Sequence, residues 1–237
     1  MTKGIVYYTH RGAGDIYDTC RLVIDRAIGE MPLVNVSLEP IDWHHNIVLP
    51  LEASVLTMFK QQLAGLHAIE TDVVFFCEHD VLYHPCHFDF EPPKPDIYYF
   101  NNNVWAVNTQ DGQALYYDGM KMTSRLVAYR DILIEHYTKK VAWVEAEGGR
   151  FSRRAMGYEP GKKVSRGRVG DYEWAYYRAA LPNVDLKHCG NITRKRFELS
   201  EYRNRRAMRA SWQLTDRVPF WGETKGRFAE FLRECAA

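Results

Sequence analysis

No apolar run in this chain approaches the roughly 18 residues that a membrane-spanning helix needs. No two of its five cysteines stand in C-x-x-C spacing, and an odd number leaves one unpaired, which excludes a complete disulfide framework and a dithiol redox motif. The opening Met-Thr-Lys-Gly runs straight into Ile5-Val6-Tyr7-Tyr8 without a basic-then-apolar leader, so the expected setting is a reducing cytoplasm. Internal repeats and low-complexity tracts are absent. What remains is ordinary globular material: 237 residues, 46% apolar and 26% charged, enough for one domain with a substantial core.

The net charge of +1 conceals an asymmetry. Residues 150–210 hold sixteen Lys and Arg against six acids, a local +10, and the rest of the chain is −9. A basic segment on an acidic body suits a polyanionic ligand, and it equally suits a solvated face paired with its own acids.

Hydrophobic periodicity predicts β-α-β-α-β over the first eighty residues. Ile5–Tyr8 reads as a buried strand, and Ile16, Cys20, Val23, Ile24 and Ala27 repeat at helical spacing. Leu33–Leu38 alternates like a strand. Leu51, Val55, Met58, Phe59, Leu63 and Leu66 mark a second helix, and Asp72–Cys77 is the near-continuous apolar run of a strand buried on both faces. Strands alternating with helices imply a parallel sheet. After the stiff Glu91–Pro95 connector, Ile97–Phe100, Val104–Val107 and Ala114–Tyr117 read as short strands. Thr123-Ser124 then caps a helix carrying Leu126, Tyr129, Leu133, Tyr137 and Val141. Residues from Gly170 to Trp174 are expected to open a short helix.

The sharpest feature is Cys77-Glu78-His79-Asp80, where the buried strand runs out. Ligands of open α/β sheets bind at the carboxyl ends of strands. Glu78 and Asp80, two apart, leave the strand on one side, and two hard oxygen ligands facing one way suit Mn²⁺ or Mg²⁺. A rival set, Cys77, His79, His84, Cys86 and His87, offers five zinc-type donors within eleven residues, but in no zinc-motif spacing.

The stretch from Thr71 to Pro85 resembles the metal-binding strand of nucleotide-sugar glycosyltransferases with the GT-A fold, in which an acid-x-acid motif holds a divalent ion against the sugar-nucleotide diphosphate. The surroundings fit the resemblance: an opening strand, a helix with Gln61-Gln62 and Gly65, Asn-rich strands, and a late His188-Cys189-Gly190-Asn191. The first acid of the motif is Glu78 where the family has Asp. The resemblance implies a single α/β domain over 1–196 with a mostly parallel sheet and a small antiparallel addition. Its nucleotide-sugar half would span about 1–90 and its acceptor half 91–196, followed by a basic helical extension, 197–237. It implies metal ligands Glu78, Asp80 and His188. Donor contacts would come from Tyr8, Thr9 and Arg11 in the first loop, Gln62 on the helix, Glu78, and Arg194 and Lys195 on phosphate. Asp171, ahead of Glu173, would act as general base in an inverting reaction.

The implied activity is transfer of a hexose from a UDP-sugar to a hydroxyl. The +10 segment makes a hydroxymethylated pyrimidine in DNA an attractive acceptor, as for sugar transferases of some bacteriophages acting in the host cytoplasm. A surface saccharide is the alternative. Arg194–Arg209 interleaves bases with aromatics, so a non-catalytic nucleic-acid-binding protein is the competing class.

Overall fold

A computed structural model describes residues 1–10, 14–116, 121–152, 157–161, 172–189 and 213–237. In chain order the first half contains β1 (Lys3–Tyr8), α1 (Asp15–Ile28), β2 (Leu33–Ser37), β3 (His45–Val48), α2 (Val55–Ala68), β4 (Val73–Glu78) and β5 (Val81–Leu82). Then follow β6 (Ile97–Asn101), β7 (Val104–Asn108), β8 (Ala114–Tyr116), β9 (Leu126–Tyr129), α3 (Arg130–Ala146), β10 (Glu173–Tyr177) and β11 (Asn183–Lys187). The C-terminal part adds β12 (Gln213–Thr215), β13 (Arg217–Val218), β14 (Gly222–Glu223) and α4 (Phe228–Ala236).

The fold is mixed α/β. A seven-stranded sheet runs in the order β10-β6-β9-β4-β1-β2-β3. Only β9 is antiparallel to its neighbours; the other pairings are parallel, as the alternation of strands and helices predicts. A second sheet, β12-β8-β7-β11-β5, is antiparallel except where β11 runs beside β7. Both faces of β1 and β4 are buried. Ile5, Tyr7, Phe75 and Cys77 pack with α1, α4 and the second sheet, while Val6, Val74 and Phe76 pack with Phe59 of α2 and Leu133 and Tyr137 of α3. Each large apolar side chain so buried contributes about 1.5–3 kcal/mol. Gly65 lets α2 settle on β1, since a Cβ there would stand 2.5 Å from Val6 Cγ1.

The middle of the chain departs from the periodicity. Leu126 and Tyr129 sit at helical spacing from Leu133, yet they belong to β9, and helix α3 begins only at Arg130. Leu126, Val127 and Ala128 are consecutively buried between β4 and β6, a slot that only a strand fills. The expected short helix after Gly170 is instead strand β10, whose Trp174, Tyr176 and Tyr177 suit a pleated edge better than a helix. The half-exposed edge strand β3 carries too little alternation to be foreseen. The extension expected to be helical contributes one helix and three short strands among its described residues, and β12 joins the second sheet beside β8.

Candidate functional site

Chain order sets the position of the site. From β1 the chain crosses through α1 to β2 on one side. It returns through β3 and α2 to β4 on the other, with α1 and α2 on opposite faces. The crevice beyond β1 and β4 is thus a topological switch point, where open α/β sheets bind ligands. A cleft of about 100 Å³ lies there. Tyr8, Thr9 and His10 line it from β1, and Glu78, His79 and Asp80 from β4. Met58 and Gln61 of α2, Met122 and Lys187 complete it.

Local bonds hold this rim. The Gln61 amide donates to the carbonyls of Thr9 (2.8 Å) and Val36 (2.9 Å), tying the first loop to the end of β2. The Glu78 backbone N–H donates to the Tyr83 hydroxyl (3.0 Å), which donates to the Ser124 carbonyl (3.1 Å). Across the turn, β5 pairs antiparallel with β11, and the Leu186 N–H donates to the Asp80 carbonyl (2.8 Å). That pairing carries His188, two residues beyond Leu186, to Asp80: His188 Nε2 lies 3.5 Å from Asp80 Oδ2. Two segments a hundred residues apart in sequence thereby meet.

His79, Asp80 and His188 are all buried, and one donor atom from each lies within 4.8 Å of the others. His79 Nε2 and Asp80 Oδ1 are buried and have no hydrogen-bond partner among the described residues. Groups left that way inside a protein are costly unless something binds them. The chemistry and spacing of this set therefore fit a divalent cation.

The neighbouring Glu78 behaves differently. The Tyr8 hydroxyl, directly across the strand pair, donates to its carboxyl. Burial, reinforced by the charge of Asp80, raises the Glu78 carboxyl to about 8, with the Tyr8 bond pulling the other way. Burial also acts to raise Asp80, but the His188 hydrogen bond and the positive charges of its neighbours outweigh it and hold this carboxyl below its usual range. The two environments thus push the acids apart, with the charge favoured on Asp80. Burial lowers His79 to about 4, which keeps its ring neutral.

Of the residues expected from sequence, Tyr8, Thr9, Glu78 and Asp80 line the cleft, and His188 joins Asp80. Gln62 is fully buried and does not line the cleft, which its neighbour Gln61 does. Glu173 pairs with Ile97 at the start of β10, level with the start of β4 and therefore at the opposite end of the sheet; the structure does not bring it to the cleft. Arg11, Asp171, Arg194 and Lys195 lie outside the described residues. Of the zinc-type set, only His79 belongs to the donor cluster. Cys77 is buried in the core, His84 contacts Cys86 (3.0 Å), and His87 bonds Asn101 and Tyr177. Sequence reasoning missed Lys187, whose Nζ lies 2.5 Å from Asp185 Oδ2, and missed His79 as a partner of Asp80. The adjacency of Lys187 to His188 was the available signal for the first.

No protein-family model matches the chain, and no curated protein sequence does. Solved structures do. One is a glycosyltransferase involved in the glycosylation of the major capsid of PBCV-1, at 13% identity over 75% of this chain and 82% of that one, with a TM-score of 0.45. Another is the apo-form glycosyltransferase GlyE of Streptococcus pneumoniae TIGR4, at 10% identity over 64% of this chain, with a TM-score of 0.38; the match spans 40% of GlyE. Among the described residues no helix is long and apolar enough to cross a membrane.

Proposed function

We propose that this chain is a nucleotide-sugar-dependent glycosyltransferase that moves a hexose from a UDP-sugar to an acceptor hydroxyl with the help of a divalent cation. The observation that carries this reading is the meeting of Asp80 and His188 at the switch-point cleft, with His79 Nε2 and Asp80 Oδ1 buried and unpartnered among the described residues.

Sugar transfer breaks the bond between the anomeric carbon and a diphosphate, and negative charge grows on the leaving group. A bound cation supplies Lewis-acid stabilisation of that charge. Asp80 and His188 would hold it. Lys187 adds a fixed positive charge at the same rim, and its bond to buried Asp185 keeps the ammonium in place. The Tyr8–Glu78 pair and Gln61 shape the adjoining part of the cleft, where Thr9 and the Glu78 carboxyl offer hydrogen bonds to ribose or base. Asp171 remains the proposed general base if the reaction inverts the anomeric centre.

For the acceptor we propose a polyanion, on the strength of the +10 segment, with hydroxymethylated pyrimidine in DNA as the specific case. An enzyme acting on it must draw the base out of the stack. The test is a panel of nucleotide sugars assayed for donor hydrolysis. Transfer is then measured to hydroxymethylated DNA, unmodified DNA and saccharides. Release of UDP from one donor, with label passing to one acceptor, is expected. Failure to bind or turn over any nucleotide sugar, together with salt-sensitive DNA binding, would replace the enzyme by a nucleic-acid-binding module.

A further inference from the structure

The acid-x-acid pattern assigns the metal to the first and third residues of Glu78-His79-Asp80, but side-chain geometry divides the motif differently. Glu78 is engaged by the Tyr8 hydroxyl and is not a member of the donor cluster. The middle residue is. His79 is buried, and its Nε2 has no hydrogen-bond partner among the described residues. A buried imidazole beside a carboxylate and a second imidazole offers a ring lone pair to a metal ion.

We infer that the cation is held by His79, Asp80 and His188, a two-imidazole, one-carboxylate set, and that the site selects a first-row transition ion over Mg²⁺. The Tyr8 hydroxyl, bonded to Glu78, withdraws that carboxyl from coordination. Imidazole nitrogen is a borderline ligand that binds Mn²⁺, Fe²⁺, Co²⁺ or Zn²⁺ far better than hard, strongly hydrated Mg²⁺. Three protein ligands leave further positions open for oxygens of a diphosphate. The inference builds on the glycosyltransferase reading of the same cleft and names its metal class.

The test uses the full chain without a polyhistidine tag, titrated with Co²⁺, Mn²⁺ and Mg²⁺ in the absence of nucleotide. Binding in the order Co²⁺, Mn²⁺, Mg²⁺ is expected, with Mg²⁺ at least about tenfold weaker than Mn²⁺. Pulsed electron paramagnetic resonance of the Mn²⁺-loaded protein should count two coordinated imidazole nitrogens; one or none overturns the assignment, whether or not any variant folds. His79→Ala should weaken Mn²⁺ binding at least about tenfold, and Glu78→Gln should leave it within about twofold. Equal affinity for Mg²⁺ and Mn²⁺, or a Glu78→Gln loss as large as that of His79→Ala, also overturns it. UDP-sugar turnover with one coordinated imidazole would leave the transferase standing without this ligand set. Two coordinated imidazoles without any nucleotide-sugar binding would do the reverse.

Discussion

His79 and His87 come from one stretch of chain, both rings are buried, and burial lowers both, to about 4 and about 3. Each leaves Nε2 without a hydrogen-bond partner among the described residues. They are nevertheless opposite in kind. His87 Nδ1 accepts from the Asn101 amide (3.1 Å), whose orientation is fixed because its oxygen accepts the N–H groups of Asn103 and Ala179. The lone pair is used on that side, and Nε2 carries the proton into a shell of Phe75, Tyr83 and Phe88. The His79 ring instead stands among donor groups, with a nitrogen within 4.8 Å of a ligand atom of Asp80 and of His188. Burial and an unpartnered nitrogen do not by themselves make a ligand. The company the ring keeps, apolar around His87 and metal-ligating around His79, decides it.

The largest expected effect would break the comparison on the His79 side. Asp80→Ala should lower sugar transfer by about 10³-fold or more, on the scale of removing a principal charge-stabilising group, with an unchanged circular dichroism spectrum. Full transfer by this variant, with or without a chelator, would end the metal-site argument. His87→Ala should act on stability alone. A cost of about 2–4 kcal/mol in urea unfolding is expected for a buried ring, with Mn²⁺ affinity unchanged. A loss of metal binding there would erase the distinction between the two histidines.

The frame that holds the cleft can be loosened without touching either ring. Gly65→Ala places a methyl against Val6 and should cost about 1–3 kcal/mol, read as a shift of the urea midpoint at constant slope. Because Gln61, on the preceding turn of α2, ties down Thr9, the donor KM of this variant should rise as well. The smallest effect is a pH dependence. His87 is neutral in the fold and titrates near 6.5 when unfolded, so its contribution is complete above 6.5 and is lost as pH falls toward 3. The stability gap between the native chain and His87→Ala should therefore narrow by about 1 kcal/mol between pH 7 and pH 5.5. A gap that widens would mean that the ring is charged in the fold.

Much of the frame was legible because burial on two faces leaves a plain signature. Ile5–Tyr8 and Val73–Cys77 are apolar runs that only central parallel strands require. Leu126–Tyr129 misled because its spacing matches a helix, while sheet neighbours on both sides override that period. Asp80 and His188 were legible as donor types at a strand end and in a late loop. Glu78 and His79 were not separable from sequence, since nothing in their order shows which side chain a tyrosine across the strand pair will engage.

The amino-acid sequence alone determined an α/β chain in which a buried strand ends in acids and a histidine, because hydrophobic period and residue chemistry are local properties. Only the tertiary structure decided that β5 and β11 pair, that His188 therefore reaches Asp80, and that Tyr8 engages Glu78 while His79 stands with Asp80. Those choices rest on contacts between segments 70 to 110 residues apart, where strand register sets which atoms meet and no local pattern records it.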